Sequence, residues 1–182
     1  MKTESTVKYV LRLALILLAI TAVVAALLAF VNSITAPIIE QLNAEKTQKA
    51  IEAVLPGGGD SVDFTDATGL VSVVYKGESG YAVQVAPAGF DGPITMMVGV
   101  GFDGNVLGIS VIKHTETAGL GAVAAATTSA GESFRAGFVG QSGSVAVTKD
   151  GGVIDSITGA TITSRAVCDG VNAALDCIGN RG

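Results

Sequence analysis

The sequence has few side chains of the kinds that bind metals or form disulfides. Among its 182 residues it holds one histidine, His114, and two cysteines, Cys168 and Cys177. These are too few for a convincing zinc site, which usually takes four nitrogen or sulfur ligands. The cysteines lie nine positions apart in a segment, 163–178, with the apolar periodicity of a helix. That spacing separates them by about 13 Å and turns them to opposite faces, so we predict two unpaired structural cysteines and no metal site.

Positive charge is also scarce over most of the chain. From Asn32 onward there are 8 basic and 15 acidic residues, a net charge of −7. Nucleic-acid binders concentrate Lys and Arg on one surface, and an acidic domain is repelled by anionic lipid headgroups. The composition therefore excludes nucleic acid as a partner and argues against a domain that docks flat on a membrane.

One stretch, residues 13–31, contains no charged residue, and its only polar side chain is Thr21. Nineteen helical residues span a hydrocarbon layer of about 30 Å. A cleaved secretory signal is the main alternative, but signal cores are usually shorter and end at small residues. A buried core helix is a third interpretation. We predict a retained transmembrane anchor in contact with membrane lipid.

The basic residues predict the orientation of this anchor. Lys2, Lys8 and Arg12 precede it, against the single acidic residue Glu4. Positive charge tends to stay on the cytoplasmic side of a bacterial membrane. We therefore expect a single-pass protein with residues 1–12 in the cytoplasm and the domain beyond the anchor outside it.

Beyond the anchor the chain reads as an α+β domain. Residues 32–59 form a predicted helical connector, which passes Pro37 and ends at the run Pro56-Gly57-Gly58-Gly59. Residues 60–182 then carry short apolar strands and a C-terminal helix. The turn Asp103-Gly104-Asn105 predicts a hairpin of the strands on either side of it. The predicted strands are 71–75, 81–85, 94–102, 106–113, 145–148 and 153–157, an antiparallel sheet flanked by helices.

A cluster of hydroxyl groups precedes the C-terminal helix, in the run from Asp155 to Ser164. The simplest interpretation is that Thr161, Thr163 or Ser164 caps the helix. A second is a phosphate site, because a helix N-terminus offers free N–H groups and positive potential. In that case Arg165 would reach a phosphate on Thr161, because residues four apart share a helix face.

The same run resembles the flavinylation motif of FMN-binding domains, through Asp155, Thr158, Gly159, Ala160 and Thr161. In those domains the last threonine of the motif is esterified to the phosphate of FMN, and a separate flavin transferase forms the bond from FAD. The resemblance implies covalent FMN on Thr161, with the three residues before it and Arg165 close to the cofactor.

A second segment, His114 to Gly121, resembles the His-x-Glu-Thr-Pro-Gly-Leu-Gly sequence in the RnfG subunit of Rnf-type ion-translocating oxidoreductases. Ala118 replaces the proline, a change that loosens the turn and removes no side chain able to bind flavin. The hairpin at 94–109 and the run at 32–39 are also similar to that family. One subunit of the sodium-pumping NADH:quinone reductases shares the flavinylation motif and is related to this family. The resemblance implies that the flavin pocket is lined by Glu116, Thr117, Leu120 and Gly121. We expect a structural role for His114.

These observations predict a redox-carrier subunit, and the sequence contains no catalytic base, nucleophile pair or nicotinamide-binding fingerprint. By resemblance, bound FMN would transfer electrons inside a larger membrane complex that couples ferredoxin and NAD to ion transport. Two alternatives remain open: an anchored extracytoplasmic flavoprotein that serves another reductase or a regulator, and an assembly module with no redox role.

Overall fold

The computed structural model describes residues 2–179, with side chains from residue 8 onward. Contacts divide the chain into two units at the Ala44–Glu45 junction. The units are connected by the first helix, α1, which runs from Lys2 to Val54 and passes through Pro37. The predicted helical continuation past Pro37 is thus confirmed, and the helix ends two residues before Pro56.

The first unit is an apolar helix whose side chains are exposed in the structure. Within the described residues, one helix is long and apolar enough to cross a membrane, with a window of mean hydropathy 3.0 and none of that window buried. Large side chains such as Leu17, Leu28 and Phe30 are more than 60% exposed. Such a surface is unfavourable in water and matches the hydrocarbon interior of a bilayer.

Polar side chains in and just after the apolar run bond to the helix itself. The Thr21 hydroxyl donates to the carbonyls of Leu17 and Leu18, each at 3.0 Å. Ser33 and Thr35 similarly donate to carbonyls one turn earlier. A polar group without a partner is costly in lipid, so these internal bonds make α1 compatible with a membrane.

The second unit is built on a five-stranded sheet whose neighbours are all antiparallel and follow chain order. The predicted hairpin is confirmed, since the strand Thr95–Gly101 pairs with the strand Val106–Lys113 on either side of the turn at Gly104. The strand Asp60–Val62 was not predicted, because it has only three residues and begins with two polar ones. The strands are β1 Asp60–Val62, β2 Val71–Lys76, β3 Gly80–Val85, β4 Thr95–Gly101 and β5 Val106–Lys113.

Helices cover both faces of this sheet. On one face the main core forms against helix α2, Ser129–Ala136, and helix α3, Thr161–Gly179. The alternation of strand side chains separates the two faces: Val83 and Val98 face this core, while Ala82 and Met97 face the opposite side. The predicted α+β fold with flanking helices is confirmed.

The end of α1 packs on the second face of the sheet. Ile51, Val54 and Leu55 are buried there with Met97. Gly99 allows this approach, because a Cβ at that position would lie 2.5 Å from the Val54 carbonyl oxygen. The residues from Glu45 onward therefore belong to the same compact unit as the sheet.

The two strands predicted at 145–148 and 153–157 are wrong. Only an isolated bridge joins Val147 and Ile154, and a 3₁₀ turn, Thr148–Asp150, lies between them. The N–H and C=O of Val145 bond to the side chain of Asn172 on α3, at 2.7 and 2.9 Å. A side chain thus takes the backbone groups that a strand would have offered to a neighbour.

Both cysteines of α3 are buried, and the Cys177 thiol donates to the Thr65 carbonyl. Burial raises the pKa of the Cys168 thiol to about 11, with smaller contributions from the negative charges of Asp169 and Asp150. The thiolate is the reactive form of cysteine. Cys168 is therefore a packing residue of the core, unreactive at neutral pH.

Candidate functional site

A pocket of about 320 Å³ opens where the N-terminus of α3 meets the loop after β5. It is within the usual size range of small-molecule sites. Four regions of the chain, around residues 90, 116–121, 149 and 159–160, and the first turn of α3 contribute to it. Its lining residues are Phe90, Glu116, Thr117, Leu120, Gly121, Lys149, Gly159, Ala160, Thr161, Ile162 and Thr163.

The hydroxyl-rich run forms a tight turn that leads directly into α3. The N–H of Ala160 donates to the Ile157 carbonyl at 3.0 Å, and Gly159 has a φ of 77°. Residues other than glycine rarely adopt that backbone conformation. The buried Ser164 hydroxyl accepts from the Ile157 N–H and donates to the Ala160 carbonyl. These bonds fix the start of the helix, where Thr161 is the first residue.

Thr161 is half-buried, and its hydroxyl oxygen accepts a hydrogen bond from the Lys149 ammonium group at 3.0 Å. One interpretation of the sequence is that this hydroxyl caps α3 by accepting a backbone N–H, but the hydrogen bond in the structure is the one to Lys149. Thr161 instead presents its oxygen to a cation at the positive end of a 19-residue helix. An anion at this position would meet both.

Arg165 does not take the position predicted for it. Its guanidinium group forms two bonds of 2.7 Å with the Asp150 carboxylate and does not line the pocket. This pairing raises the pKa of Arg165 and lowers that of Asp150, chiefly through the hydrogen bonds between them. The spacing of Thr161 and Arg165 places them on one helix face. In the loop beside that face, Lys149 bonds to Thr161 and Asp150 bonds to Arg165.

Glu116 is 7% exposed and joins three parts of the site. One carboxylate oxygen accepts the N–H groups of Phe90 and Asp91 at 2.8 and 3.1 Å. The other accepts a short hydrogen bond from the hydroxyl of Thr163 on α3. A buried carboxylate is stabilised by such donors. Glu116 therefore lines the pocket, and its hydrogen bonds in this structure go to the protein.

Glycines on either side of Glu116 make room for its carboxylate. A Cβ at Gly89 would collide with one carboxylate oxygen, and a Cβ at Gly121 with the other and with the Thr163 hydroxyl. Gly121 therefore serves close packing beneath the pocket. His114 lies outside the pocket lining, and its buried Nδ1 has no hydrogen-bond partner.

The rim of the pocket is apolar. Phe90, Leu120 and Ile162 all line it, and they are 67%, 43% and 51% exposed. A cluster of large exposed apolar side chains at the opening of a pocket is typical of a binding site and uncommon on the rest of a protein surface. Thr117, also exposed and on the lining, adds a hydroxyl near this rim.

The structure thus collects most of the predicted residues and adds others. Thr158 is exposed and lines a neighbouring groove, not this pocket. Phe90 and Lys149 line the pocket but were not predicted. Both lie outside the two motifs, and a surface-type lysine or a lone phenylalanine carries no local signal.

Comparison with known proteins identifies the class of the domain and then the family of the chain. A sequence model of the FMN-binding domain matches residues 89–176, the part that contains the whole pocket. A second model, described as the RnfG N-terminal region, matches residues 1–54, the extent of α1.

Full-length relatives agree with both matches. The RnfG-type subunit of the Na⁺-translocating ferredoxin:NAD⁺ oxidoreductase complex of Acetobacterium woodii is 36% identical over 98% of this chain and 96% of its own length. The corresponding subunit of the ion-translocating oxidoreductase complex of Methanosarcina acetivorans is 33% identical over 94% of this chain and 95% of its own length. That of Cronobacter sakazakii is 37% identical over 81% of this chain and 80% of its own length. The chain belongs to the RnfG family, whose members are subunits of ion-translocating oxidoreductase complexes.

Proposed function

We propose that this chain is an electron-transfer subunit of an ion-translocating oxidoreductase complex and carries FMN on Thr161. The observation that carries the proposal is the position of Thr161: it opens α3, contacts Lys149, and lines the pocket of a matched FMN-binding domain. FMN would supply one- and two-electron chemistry, while the protein sets its position and potential.

The pocket suits the two halves of FMN. Its apolar rim, formed by Phe90, Leu120 and Ile162, offers contact area to the flat ring system. The same lining includes Thr161 and Lys149 beside the N-terminus of α3. Cations and helix N-termini are the usual partners of phosphate groups. This combination of apolar and cationic lining supports FMN with its phosphate at Thr161.

Covalent attachment needs a hydroxyl that a second protein can reach. Thr161 is half-buried, and Gly159 and Ala160 before it have almost no side chain to obstruct an approach. A flavin transferase using FAD is the maturation partner that the motif implies. A phosphoester bond also prevents loss of the cofactor outside the cytoplasm, where it would not be replaced.

The other subunits of the complex are the proposed electron partners. The Acetobacterium relative is named for ferredoxin:NAD⁺ oxidoreduction with Na⁺ transport, and we extend this coupling of electron flow to ion transport to the complex that contains the present chain. This subunit is a redox carrier and not a complete enzyme. The run 13–31 has no charged residue, so it offers no intramembrane site for an ion to pass.

The proposal is tested by mass spectrometry of the full chain after co-expression with a flavin transferase. We expect the mass to rise by one esterified FMN, located on the peptide that contains Thr161, with yellow fluorescence that survives denaturing electrophoresis. A chain that shows no added mass and no flavin absorbance would contradict the redox proposal and favour the assembly module.

We also propose that the anchor is retained, with the N-terminus in the cytoplasm and the FMN-binding domain outside. The cluster Lys2, Lys8 and Arg12 ahead of the apolar run supports this orientation. An alkaline phosphatase fused to the C-terminus should be active, because that enzyme needs export. A cytoplasmic reporter that is active at the same fusion point, with an inactive phosphatase, would reverse the topology.

A further inference from the structure

Lys149 is held in place by the structure around it, although its side chain is exposed. It lies in the 3₁₀ turn Thr148–Asp150, which is closed by the bridge between Val147 and Ile154. The Thr148 N–H donates to the Ile154 carbonyl at 2.8 Å, and the Ile154 N–H donates to the Ala146 carbonyl at 3.1 Å. These bonds hold the backbone of the turn in place. The Lys149 side chain extends from this turn and donates a hydrogen bond to the Thr161 hydroxyl.

We infer that Lys149 orients the Thr161 hydroxyl for flavin transfer and then binds the resulting phosphoester. The inference rests on the proposed function, since it assumes that Thr161 is the attachment site. Helix spacing predicts Arg165 as the cation beside the phosphate. The inference assigns that role to Lys149, which comes from a separate loop. Lys149 is a positioning and phosphate-binding residue here, and the transferase supplies the remaining catalytic groups.

The adjacent ion pair explains why the two cations have different roles. Asp150 binds Arg165 through two hydrogen bonds, and this pair joins the loop to α3 one turn beyond Thr161. The pairing neutralises Arg165 and Asp150 together. Lys149 is left as the pocket-lining cation beside Thr161. Once esterified, the phosphate carries one negative charge, which a single ammonium group balances.

The transfer step balances without an oxidant or a reductant. The Thr161 oxygen forms a bond to the phosphorus that carries the riboflavin half of FAD. The bond from that phosphorus to the oxygen of the AMP half breaks, and AMP leaves. The hydroxyl proton passes to a base of the transferase. Lys149 donates to the Thr161 oxygen and favours its deprotonated, nucleophilic form, because a nearby cation stabilises developing negative charge.

The test compares initial rates of labelling in the purified full chain with purified transferase and FAD. Lys149→Met keeps the length of the side chain and removes its charge, and we expect labelling roughly 10- to 100-fold slower, the range for loss of a charge-assisted bond. Lys149→Arg should recover a substantial part of the rate. Lys76→Met is the matched control, since Lys76 ends β2 at the opposite end of the sheet from the pocket. Circular dichroism should be the same for all four proteins.

A second readout separates phosphate binding from a merely structural role. In chains that have been fully labelled, the phosphorus-31 resonance should differ between wild type and Lys149→Met, and the difference should shrink at high salt, which screens an exposed pair. Wild-type rate and an unchanged resonance in Lys149→Met would overturn the inference. So would an Arg variant as slow as the Met variant. A wild-type chain that takes no label would instead overturn the attachment to Thr161 itself.

Discussion

Replacing Thr161 with alanine should abolish flavin labelling completely. The substitution removes the only oxygen through which the side chain of residue 161 can form a phosphoester. Its structural cost is small, because Thr161 is half-buried and its hydroxyl makes a surface hydrogen bond to Lys149, of the kind that contributes about 1 kcal/mol or less. Thr161→Ala should therefore fold, lack the added FMN mass, and give no fluorescent band on a denaturing gel.

Two further substitutions make this result specific. Thr161→Ser keeps a hydroxyl at the same position and should still accept FMN. Thr158→Ala removes a hydroxyl from the same motif, but Thr158 is exposed and is not part of the pocket lining, so its labelling should be retained. If Thr161→Ala remained labelled to the wild-type extent, the attachment site would lie elsewhere in the chain.

The second large effect is expected at Glu116, whose substitution by glutamine should raise the flavin potential. The carboxylate is buried and lines the pocket. A fixed negative charge opposes the addition of electrons to a group beside it, and low local dielectric strengthens that effect. Removal of the charge by Glu116→Gln therefore makes reduction easier. Since attachment depends on Thr161, the flavin should stay on the protein.

The structure also indicates why glutamine is tolerated at this site. Its amide oxygen can still accept the N–H groups of Phe90 and Asp91, and its amide nitrogen can donate to the Thr163 oxygen. The size and the three connections are kept while the charge is lost. Glu116→Ala would instead remove the acceptor of the partly buried N–H groups of Phe90 and Asp91 and of the buried Thr163 hydroxyl. A buried polar group without a partner costs about 1–3 kcal/mol, so this variant should destabilise the turn at residue 90 and the start of α3.

The measurement is a redox titration of labelled wild type and Glu116→Gln, with thermal unfolding followed in parallel. A differential interaction of about 1.4 kcal/mol corresponds to about 60 mV for a one-electron couple, so we expect a rise of tens of millivolts. Glu78→Gln is the control, because Glu78 is exposed in the turn between β2 and β3, at the end of the sheet away from the pocket. A potential equal to that of the control in a folded Glu116→Gln chain would leave Glu116 with a structural role only.

Prediction from sequence succeeded where the signal is local. The 19 uncharged residues at 13–31 lie within one long helix, because apolar length is a property of the run itself. The hairpin of β4 and β5 was predicted from its turn and from alternating side chains, both of which act over a few residues.

Prediction failed where partners come from distant parts of the chain. The residues at 145–148 have the composition of a strand, but Asn172 on α3 takes the backbone groups of Val145. Local propensity cannot show this, because the competing donor and acceptor lie 27 residues away. The same limit applies to β1, whose three residues form a strand only because β2 is beside them.

The candidate site divides in the same way. The sequence by itself indicated the threonine, the hydroxyl-rich run that precedes α3, and the loop that carries Glu116 and Leu120, because each belongs to a short motif. Only the tertiary structure decided which cation meets Thr161. Helix spacing favours Arg165, but the loop closed by Val147 and Ile154 brings Asp150 to Arg165 and Lys149 to Thr161. Tertiary structure likewise gave the Glu116 carboxylate its donors, from backbone N–H groups 25 and 26 residues away and a hydroxyl 47 residues away. A side chain's type fixes what it can bind, but the fold determines which partner lies within about 3 Å.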